Sequence, residues 1–334
     1  MATLGDVARL AGVSKSTASR ALNRTGHVSE ETSIAVHAAA QSLGFRAAQS
    51  AVRLATGRTR TIGTFCLRCD NWYNSTVVHG MSEAATQHEY DLLVCELDAA
   101  GSDGPAKLEF FLQRGRVDAA VFCACDTVEN EVLRLTELGV PLVVLGEPAD
   151  EARSFSLDDE LAAKLATEHL LSLGHRDILH ANSVNPNPSR ATSATGRRIA
   201  GYSRAMREAG LQPRTITVPA HTEEARLAAH DILARVDAPT AVFATTDEIA
   251  FGFLLAAPAL GIRIPDDLSV ISVDDHEFSK SFGLTTVRQD PVRHAKDAFD
   301  WILDQLASPS EDQSHTNYEP EFLLRASTGP APRR

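Results

Sequence analysis

The chain lacks the features that would take it into or across a membrane. It has 334 residues, of which 43% are hydrophobic and 23% charged. It contains no run of about 18 apolar residues and no basic segment followed by an apolar leader. Its five cysteines are an odd and scattered number, which is not the disulfide framework of a small secreted domain. These absences predict a soluble cytoplasmic protein with no membrane partner.

Sequence signatures of common enzyme classes are also missing. No Gly-x-Gly-x-x-Gly follows a predicted strand and no Gly-Lys-Ser/Thr phosphate loop occurs, so nucleotide binding has no support. No Gly-x-Ser-x-Gly nucleophile elbow is present, and the carboxylates are spread over predicted helix faces. We therefore predict that the chain is not an enzyme and carries no cofactor.

The cysteines leave one alternative open. Cys66 and Cys69 form a C-x-x-C, and Cys95, Cys123 and Cys125 fall near predicted strand ends in the same region. A redox or zinc site is conceivable there, but no second C-x-x-C or paired-histidine spacing accompanies it. We predict no metal site, and we interpret Cys66, Cys95 and Cys123 as buried strand residues.

Charge is distributed unevenly along the chain. The formal net charge is -12, yet residues 1–60 carry eight Lys or Arg against three Asp or Glu, a net +5, which leaves -17 on the remainder. A basic head on an acidic body is expected when only the head approaches phosphates.

The head, residues 1–45, is predicted to form three short helices. Thr3 and Asp6 have the spacing of a capping box, Gly12 breaks the first helix, and Ser14 and Ser29 are caps for the next two. The inward residues at helical spacing are Leu4, Val7, Ala8 and Ala11, then Ala18 and Leu22, then Val36, Ala39, Ala40 and Leu43. Helices separated by a glycine turn indicate a helix-turn-helix, whose second helix enters the major groove.

Polar residues on the outer face of the second helix favour DNA binding. Lys15 and Arg20 can donate to guanine O6 and N7, and neighbouring hydroxyls can reach bases or phosphates. On the helix pattern alone, a plain three-helix bundle with a solvated polar face stays an alternative.

The amino-acid sequence of this segment resembles that of a known protein family. Thr-Leu-Gly-Asp-Val-Ala-Arg-Leu-Ala-Gly-Val-Ser-Lys-Ser-Thr-Ala-Ser-Arg-Ala-Leu-Asn, followed by Gly-His-Val-Ser at 26–29 and Leu-Gly-Phe at 43–45, resembles the headpiece of the lac/galactose repressor family. The resemblance places Lys15, Ser16 and Arg20 at base-reading positions. Positions that hold the backbone or brace the helix are matched by Ser14, Thr17, Ser19 and Asn23. It implies a repressor of carbohydrate-utilisation genes that binds a palindromic operator as a homodimer.

Residues 46–59 are predicted to be a hinge. The segment is rich in alanine but too short to form a stable helix alone. By the resemblance it pairs with its dimer mate in the minor groove, and Leu54 matches the leucine wedged between base steps. An ordinary linker is the alternative. Ala47 and Ala48 replace the family's usual Pro-Asn, so either Ser50 caps a shorter helix or the hinge orders less readily.

Residues 60–334 alternate strand and helix patterns, which predicts an α/β body with two doubly wound parallel sheets. The predicted strands cover 61–67, 91–97, 119–124, 142–147, 177–182, 215–219, 241–246 and 268–274, and the predicted helices 76–87, 106–113, 129–138, 161–173, 198–209 and 224–236. Segments 166–175, 198–202 and 284–289 are similar to the repressor family and, through it, to periplasmic sugar-binding proteins. The resemblance implies one lobe of about 60–156 plus 290–317 and another of about 157–289 plus 318–328, with an effector cleft between them.

Six positions are predicted to contact the effector. Arg198 matches the arginine that grips ligand oxygens and Asp274 an acidic acceptor, and we expect the two to face each other across the cleft. The remaining candidates are Tyr73 as a stacking face, His221 in the opposite lobe, Thr246 where relatives have Asn, and Gln289 on the returning crossover. The resemblance implies a saccharide.

Each of these positions also has an ordinary interpretation. Arg198 would lie in a surface helix pair, Asp274 would be a cap and Tyr73 would serve packing. At the level of function, the alternative is a ligand-binding protein or doubly wound enzyme whose basic head is incidental.

Overall fold

The computed structural model describes residues 2–23, 26–45, 58–97, 116–123, 139–150, 152–183 and 193–333. They form a helical headpiece and two α/β lobes. The predicted hinge residues 46–57, with Leu54, lie outside the described residues, as do the helices predicted at 106–113 and 129–138.

The headpiece consists of α1 (Leu4–Leu10), α2 (Lys15–Asn23) and α3 (Glu30–Ser42). Thr3 and Asp6 form the predicted capping box, because each side chain accepts from the other's backbone N–H. Gly12 adopts a φ of +67°, which glycine tolerates and other residues rarely do, and it ends the first helix. Ser14 Oγ accepts from Thr17 N at 3.1 Å and caps α2.

The headpiece core is small and alanine-rich. Its buried residues are Val7, Ala8, Ala18, Ala21, Val36, Ala39 and Ala40. The prediction that Leu43 lies inside is wrong: Leu43 is 38% exposed, because it is the C-cap of α3 rather than part of its buried face. The short side chains let the three helices approach closely and fix the direction of α2.

Lobe 1 is built on a six-stranded, wholly parallel sheet. In sheet order its strands are β11 (His315–Tyr318), β5 (Arg153–Leu157), β4 (Leu142–Leu145), β3 (Ala119–Cys123), β1 (Thr61–Cys66) and β2 (Asp91–Glu96). Helices α4 (Trp72–Gln87) and α9 (Pro291–Ala307) cover one face of the sheet through Val77, Met81, Phe299 and Ile302. Cys95, predicted to be buried, is only half-buried because β2 is an edge strand.

Lobe 2 is also built on a six-stranded sheet. Its sheet order is β12 (Glu321–Leu323), β10 (Thr285–Arg288), β9 (Ser269–Asp274), β8 (Ala241–Ala244), β6 (Ile178–Ser183) and β7 (Arg214–Val218), with β12 alone antiparallel to its neighbour. Helices α5 (Asp159–Ser172) and α6 (Ala194–Glu208) cover one face. Helices α7 (Thr222–Leu233) and α8 (Asp247–Ala256), followed by a 3₁₀ turn (Ala257–Leu260), cover the other.

The α/β fold class with an all-helical head is confirmed. Strands β3, β4, β8 and β9 are buried along their whole length, as parallel strands covered on both faces must be. Strands β5, β10, β11 and β12 and helices α8 and α9 were not predicted from the sequence. Helix α8 is apolar on nearly every face, so it shows no helical period, although Asp290 and Pro291 are a readable start for α9.

Three crossovers join the lobes. The chain passes from β5 to α5, from β10 to α9 and from β11 to β12. The carboxyl ends of the two parallel sheets consequently face a common cleft, the usual position for a ligand in open α/β folds. Within the described residues, no helix has the length and apolar character needed to cross a bilayer.

Candidate functional site: an exposed helix and an interlobe cleft

The first candidate surface is the outer face of α2. Lys15, Ser16 and Arg20 are exposed there, whereas Thr17 and Ser19 are half-buried. Asn23 is the last residue of α2. The three exposed side chains are those predicted to read bases, and the Ser14 cap fixes the start of α2 directly before Lys15.

Hydroxyl groups brace the start of this helix. Ser14 Oγ lies 2.8 Å from Ser16 Oγ and 2.9 Å from Thr17 Oγ1, in addition to its capping bond. The Lys15 side chain passes so close to α1 that a Cβ added at Gly5 would lie 2.9 Å from Lys15 Cε. Gly5 therefore leaves room for a lysine that the capped helix presents at its amino end.

The second candidate is a cavity of about 250 Å³ between the lobes. All six residues predicted to contact an effector line it: Tyr73, Arg198, His221, Thr246, Asp274 and Gln289. That they contact a ligand stays a prediction. The cavity lies at the carboxyl ends of β1, β4, β6, β8 and β9, where backbone and side-chain polar groups converge.

Arg198, on the first turns of α6, is the buried cation of the cleft. Its Nε donates to Asp159 Oδ1 at 2.8 Å, and its Nη1 donates to the Thr245 carbonyl at 2.6 Å. Its Nη1 also lies 3.9 Å from Asp274 Oδ1. The expectation that Arg198 and Asp274 face each other across the cleft is wrong, because both belong to the lobe 2 wall.

The carboxyls around Arg198 are strongly affected by burial. Burial raises the pKa of Asp159 and raises that of Asp274 well above its usual range, and in both cases the Arg198 guanidinium opposes the shift. Burial lowers the pKa of Arg198, but Asp159 and Asp274 outweigh it, so the net shift is upward. The arginine therefore stays charged and its charge is balanced within the wall.

Asp274 ends β9 in an unusual backbone conformation. Its φ is +143° and that of Asp275 is +64°, both in the region that side chains rarely occupy. Gln289 Nε2 donates to Asp274 Oδ1, and Asp247 N donates to its Oδ2 at 3.2 Å. Arg288 Nε holds Asp275 at 2.8 Å, with Arg325 on its other oxygen. Such over-determined strain is typical of ligand sites.

Asp247 explains why Asp274 is held so firmly. It begins α8 and accepts from Ser272 Oγ at 2.6 Å, Thr286 Oγ1 at 2.7 Å and His276 N at 2.8 Å, with Ser279 as a further donor. Burial raises its pKa, and these hydrogen bonds oppose the rise. The carboxylate thus joins α8, β9 and β10 in one network behind the cavity wall.

Tyr73 and Thr246 are each committed to a protein contact as well as to the cavity. The Tyr73 hydroxyl lies 3.2 Å from His294 Nδ1, and its ring covers Gly146, where an added Cβ would lie 3.0 Å from Tyr73 Cε1. Thr246 Oγ1 accepts from Ile249 N at 3.4 Å as the cap of α8. Tyr73 is thereby held in place by Gly146 and His294, and one lone pair of the Thr246 hydroxyl is used by its own helix.

The mouth of the cleft is bridged by side chains from both lobes. Trp72 Nε1 donates to Glu277 Oε2 at 2.8 Å, and His221 Nε2 lies 3.7 Å from Asp70 Oδ2. The backbone N–H of Trp72 also bonds Glu248. His221, predicted as a ligand contact, therefore also belongs to this rim, whose side chains join the two lobes.

Sequence reasoning missed the partner of Arg198 and several cavity-lining residues, Asn74 among them. Asp159 is 39 positions from Arg198 and showed only as an acid in the first turn of a helix. Asn74 directly follows Tyr73 in the sequence and lines the same cavity. Its Nδ2 donates to the Arg68 carbonyl at 2.7 Å, whereas its buried Oδ1, on the cavity wall, has no hydrogen-bond partner in the described structure.

The cysteines do not form a metal centre in the part of the chain that the structure describes. There, no group of three or more His, Cys, Asp or Glu side chains has an arrangement that would hold a metal ion. Cys66 and Cys123 are buried strand residues, as predicted, and Cys125 lies outside the described residues. The zinc alternative thus finds no support among the described cysteines.

Two parts of the chain match known protein families. Residues 3–47 match the family described as bacterial regulatory proteins, lacI family, and residues 167–328 match the periplasmic binding protein-like domain. The HTH-type transcriptional repressor PurR of Vibrio campbellii (strain ATCC BAA-1116) is 31% identical over 333 residues, which cover 97% of this chain and 98% of the relative.

Solved structures share the fold. The lac repressor dimer bound to operator and the anti-inducer ONPF aligns with a TM-score of 0.84 at 24% identity, covering 98% of this chain and 99% of that one. The complex of the transcriptional regulator CelR with cellobiose aligns with a TM-score of 0.70 at 23% identity, covering 98% and 100%. The headpiece and both lobes are thus found in one chain in these proteins.

Proposed function

Since this chain belongs to the lacI family of bacterial regulatory proteins and is a DNA-binding transcriptional repressor rather than an enzyme, we propose that a neutral, hydroxyl-rich ligand in its cleft controls its operator affinity. The target genes in this proposal are those of carbohydrate utilisation. The observation that carries the proposal is the charge balance of the cavity wall around Arg198.

An anionic ligand fits this wall poorly. The cavity is lined by two guanidinium groups, but Arg68 bonds Asp70 through two nitrogens at 2.9 and 3.0 Å, and Arg198 bonds Asp159. The carboxyls of Glu147, Glu248 and Asp274 also line it. A phosphate or carboxylate would therefore meet cations that are already paired and an excess of acidic side chains.

A polyol fits the same wall well. Asn74 Oδ1 accepts, the carboxylates accept, and Arg198 Nη2 is available as a donor, since Nε and Nη1 bond Asp159 and Thr245. Sugar hydroxyls both donate and accept, and one face of a sugar ring is apolar enough to lie on Tyr73. The cellobiose in the CelR complex supports the same class.

A flat nitrogen heterocycle is the second candidate. The Tyr73 ring would offer a stacking face, and the unpaired Asn74 Oδ1, which lines the same cavity, suits a ring N–H donor. The heterocycle and the polyol are both neutral but differ in their hydrogen-bond patterns. One ligand screen can therefore separate the two candidates.

A thermal-shift screen of the intact protein tests the ligand class. Mono- and disaccharides form one arm, neutral nucleobases a second and sugar phosphates a third. A ligand at 100 times its Kd adds about 2.7 kcal/mol to the free energy of unfolding. Stabilisation by the sugar phosphates alone would overturn the proposal. Asn74→Ala should abolish the shift, and Asn317→Ala, at an exposed position on β11, should retain it.

The DNA side of the proposal assigns operator reading to α2. Lys15, Ser16 and Arg20 would contact bases, and Leu54 of the hinge would wedge into the minor groove. The residues that would hold the DNA backbone or brace the helix are Ser14, Thr17, Ser19 and Asn23. A gel shift that compares the intact chain with one starting at Thr59 tests this assignment, because equal sequence-selective binding by both would refute it.

A cytoplasmic homodimer completes the proposal. One headpiece offers few base contacts, and two on a palindromic operator double them. Ligand-induced change in lobe closure would alter headpiece spacing, and by linkage operator DNA would alter ligand affinity equally. Sedimentation of the purified chain with and without a palindromic duplex tests the dimer; a stoichiometry of one chain per duplex would contradict it.

A further inference from the structure

The C-x-x-C motif at the end of β1 is used neither by the headpiece nor by the ligand contacts. Cys66 Sγ lies 3.0 Å from Cys69 Sγ, about 1 Å more than a disulfide bond length. Cys66 is buried and fixed, because it pairs in register with Glu96 of β2 and Cys123 of β3. Cys69 is half-buried in the turn that precedes α4.

The turn that holds Cys69 is connected directly to the cleft. Its neighbour Arg68 lines the cavity and bonds Asp70, which in turn faces His221 of lobe 2 at 3.7 Å. The Arg68 carbonyl accepts from Asn74 Nδ2 at 2.7 Å. A movement of this turn therefore reaches both the cavity wall and the rim contact between the lobes.

We propose that Cys66 and Cys69 are a reversible oxidation site, at which a peroxide closes a disulfide that displaces the Arg68–Asp70 turn and loosens the rim of the cleft. Disulfides in reducing compartments are typically transient and serve redox sensing, and a pair held at this distance needs little rearrangement to react. The regulatory consequence rests on the proposed function of the cleft, whereas the chemistry of the site does not.

The oxidation occurs in two balanced steps. The Cys69 sulfur attacks one peroxide oxygen, the O–O bond breaks, and Cys69 sulfenic acid and one water form. The Cys66 sulfur then attacks the Cys69 sulfur, the S–O bond breaks, and the disulfide and a second water form. The two thiols supply two electrons and two protons, which reduce one hydrogen peroxide to two waters.

The order of the steps follows from burial. Cys66 is fully buried, so a dissolved oxidant does not reach its sulfur directly. Cys69 is the more accessible member and reacts first, and Cys66 resolves the sulfenic acid. Because two strand partners hold Cys66, closing the gap of about 1 Å must move Cys69. Binding sites tolerate only about 0.5 Å of misplacement, so the shift is large enough to change the cleft.

Peptide mapping of the intact protein after hydrogen peroxide treatment tests the bond. Trypsin cleaves after Arg68 and separates the two cysteines, so their disulfide joins peptide 61–68 to peptide 69–107. The second peptide also contains Cys95, and Cys95→Ser removes that ambiguity. The linked pair should form in wild type and in C95S, disappear in C66S and C69S, and separate on reduction with dithiothreitol.

Tryptophan fluorescence tests the consequence without ligand or DNA. The chain has two tryptophans, and Trp301→Phe leaves Trp72, three residues from Cys69, as the reporter of the bond to Glu277. Peroxide should shift Trp72 emission in the W301F protein, dithiothreitol should reverse the shift, and adding Cys69→Ser should abolish it. C69S alters a half-buried side chain, so the test holds even where C66S lowers stability.

Three results would overturn the inference: linkage of Cys69 to Cys95, Cys123 or Cys125 instead of Cys66, an emission shift that persists in C69S, or a Cys66–Cys69 bond that leaves Trp72 emission unchanged. A failed ligand screen would leave both readouts intact, so the two proposals fail separately.

Discussion

Arg198 and Asp159 form an ion pair that is almost wholly withdrawn from water, with Nε and Oδ1 2.8 Å apart and side chains 6% and 1% exposed. The pair joins the start of α6 to the start of α5, and its arginine lines the cavity. Arg198, which is predicted to hold a ligand, therefore also stabilises the fold. Its removal should affect stability as well as binding.

Asp159→Ala should lower the free energy of unfolding by about 3–5 kcal/mol, because it leaves the Arg198 charge buried without its main partner. Urea denaturation measures the change. The matched control is Asp266→Ala, which removes one partner from the exposed Arg263 pair and should cost about 0–1 kcal/mol. Equal, small losses in both variants would show that the buried pair is not required.

Lys15→Ala and Arg20→Ala should each lose about 1–3 kcal/mol of operator affinity at particular base pairs. Selection from random duplexes, followed by titration of single base-pair variants, measures where the loss falls. Arg263→Ala, in an exposed turn of lobe 2, is the control and should bind like wild type. A loss that is uniform over all sequences would assign the two residues to phosphates.

His294→Gln should reduce the loss of stability in acid. Burial lowers the pKa of His294 to about 4, from 6.5, so the folded state keeps the ring neutral while the unfolded state takes up a proton. Its contribution is fully present above pH 6.5 and is lost as the pH falls toward 4.

Between pH 7 and pH 5 this residue alone should cost about 1–2 kcal/mol. Urea midpoints at the two pH values, for wild type and H294Q, measure the difference. The exposed His79→Gln is the control and should behave like wild type. An H294Q protein that loses as much stability as wild type would contradict the assignment.

Gly146→Ala should weaken ligand binding through Tyr73. Its φ is +88°, and an added Cβ would press on the Tyr73 ring. Gly139→Ala is a matched control, since Gly139 has a φ of +66° but no atom within 4 Å of an added Cβ. Both variants should lose about 1 kcal/mol of stability to backbone strain.

Only G146A should reduce affinity for a ligand found by the thermal-shift screen, and a binding titration on both variants measures the effect. Equal affinities in G146A and G139A would show that the position of Tyr73 does not matter for binding.

The sequence by itself determined the features that depend on neighbouring residues. The capping box of Thr3 and Asp6 and the turn at Gly12 depend on contacts within a few positions of the chain. The alternation of strand and helix patterns predicted the two parallel sheets. Local hydrogen bonds and hydrophobic periodicity are encoded in consecutive residues, which is why the helical head and the α/β class could be predicted.

Only the tertiary structure decided which side chains pair with one another around the cleft. It paired Arg198 with Asp159 instead of setting it opposite Asp274, left Asn74 Oδ1 unpaired on the cavity wall, and brought His221 to Asp70 of the other lobe. These relations depend on which helix packs on which sheet and on how far two lobes close. Burial then sets the charges, because a carboxyl's environment is a property of the folded chain and not of its neighbours in sequence.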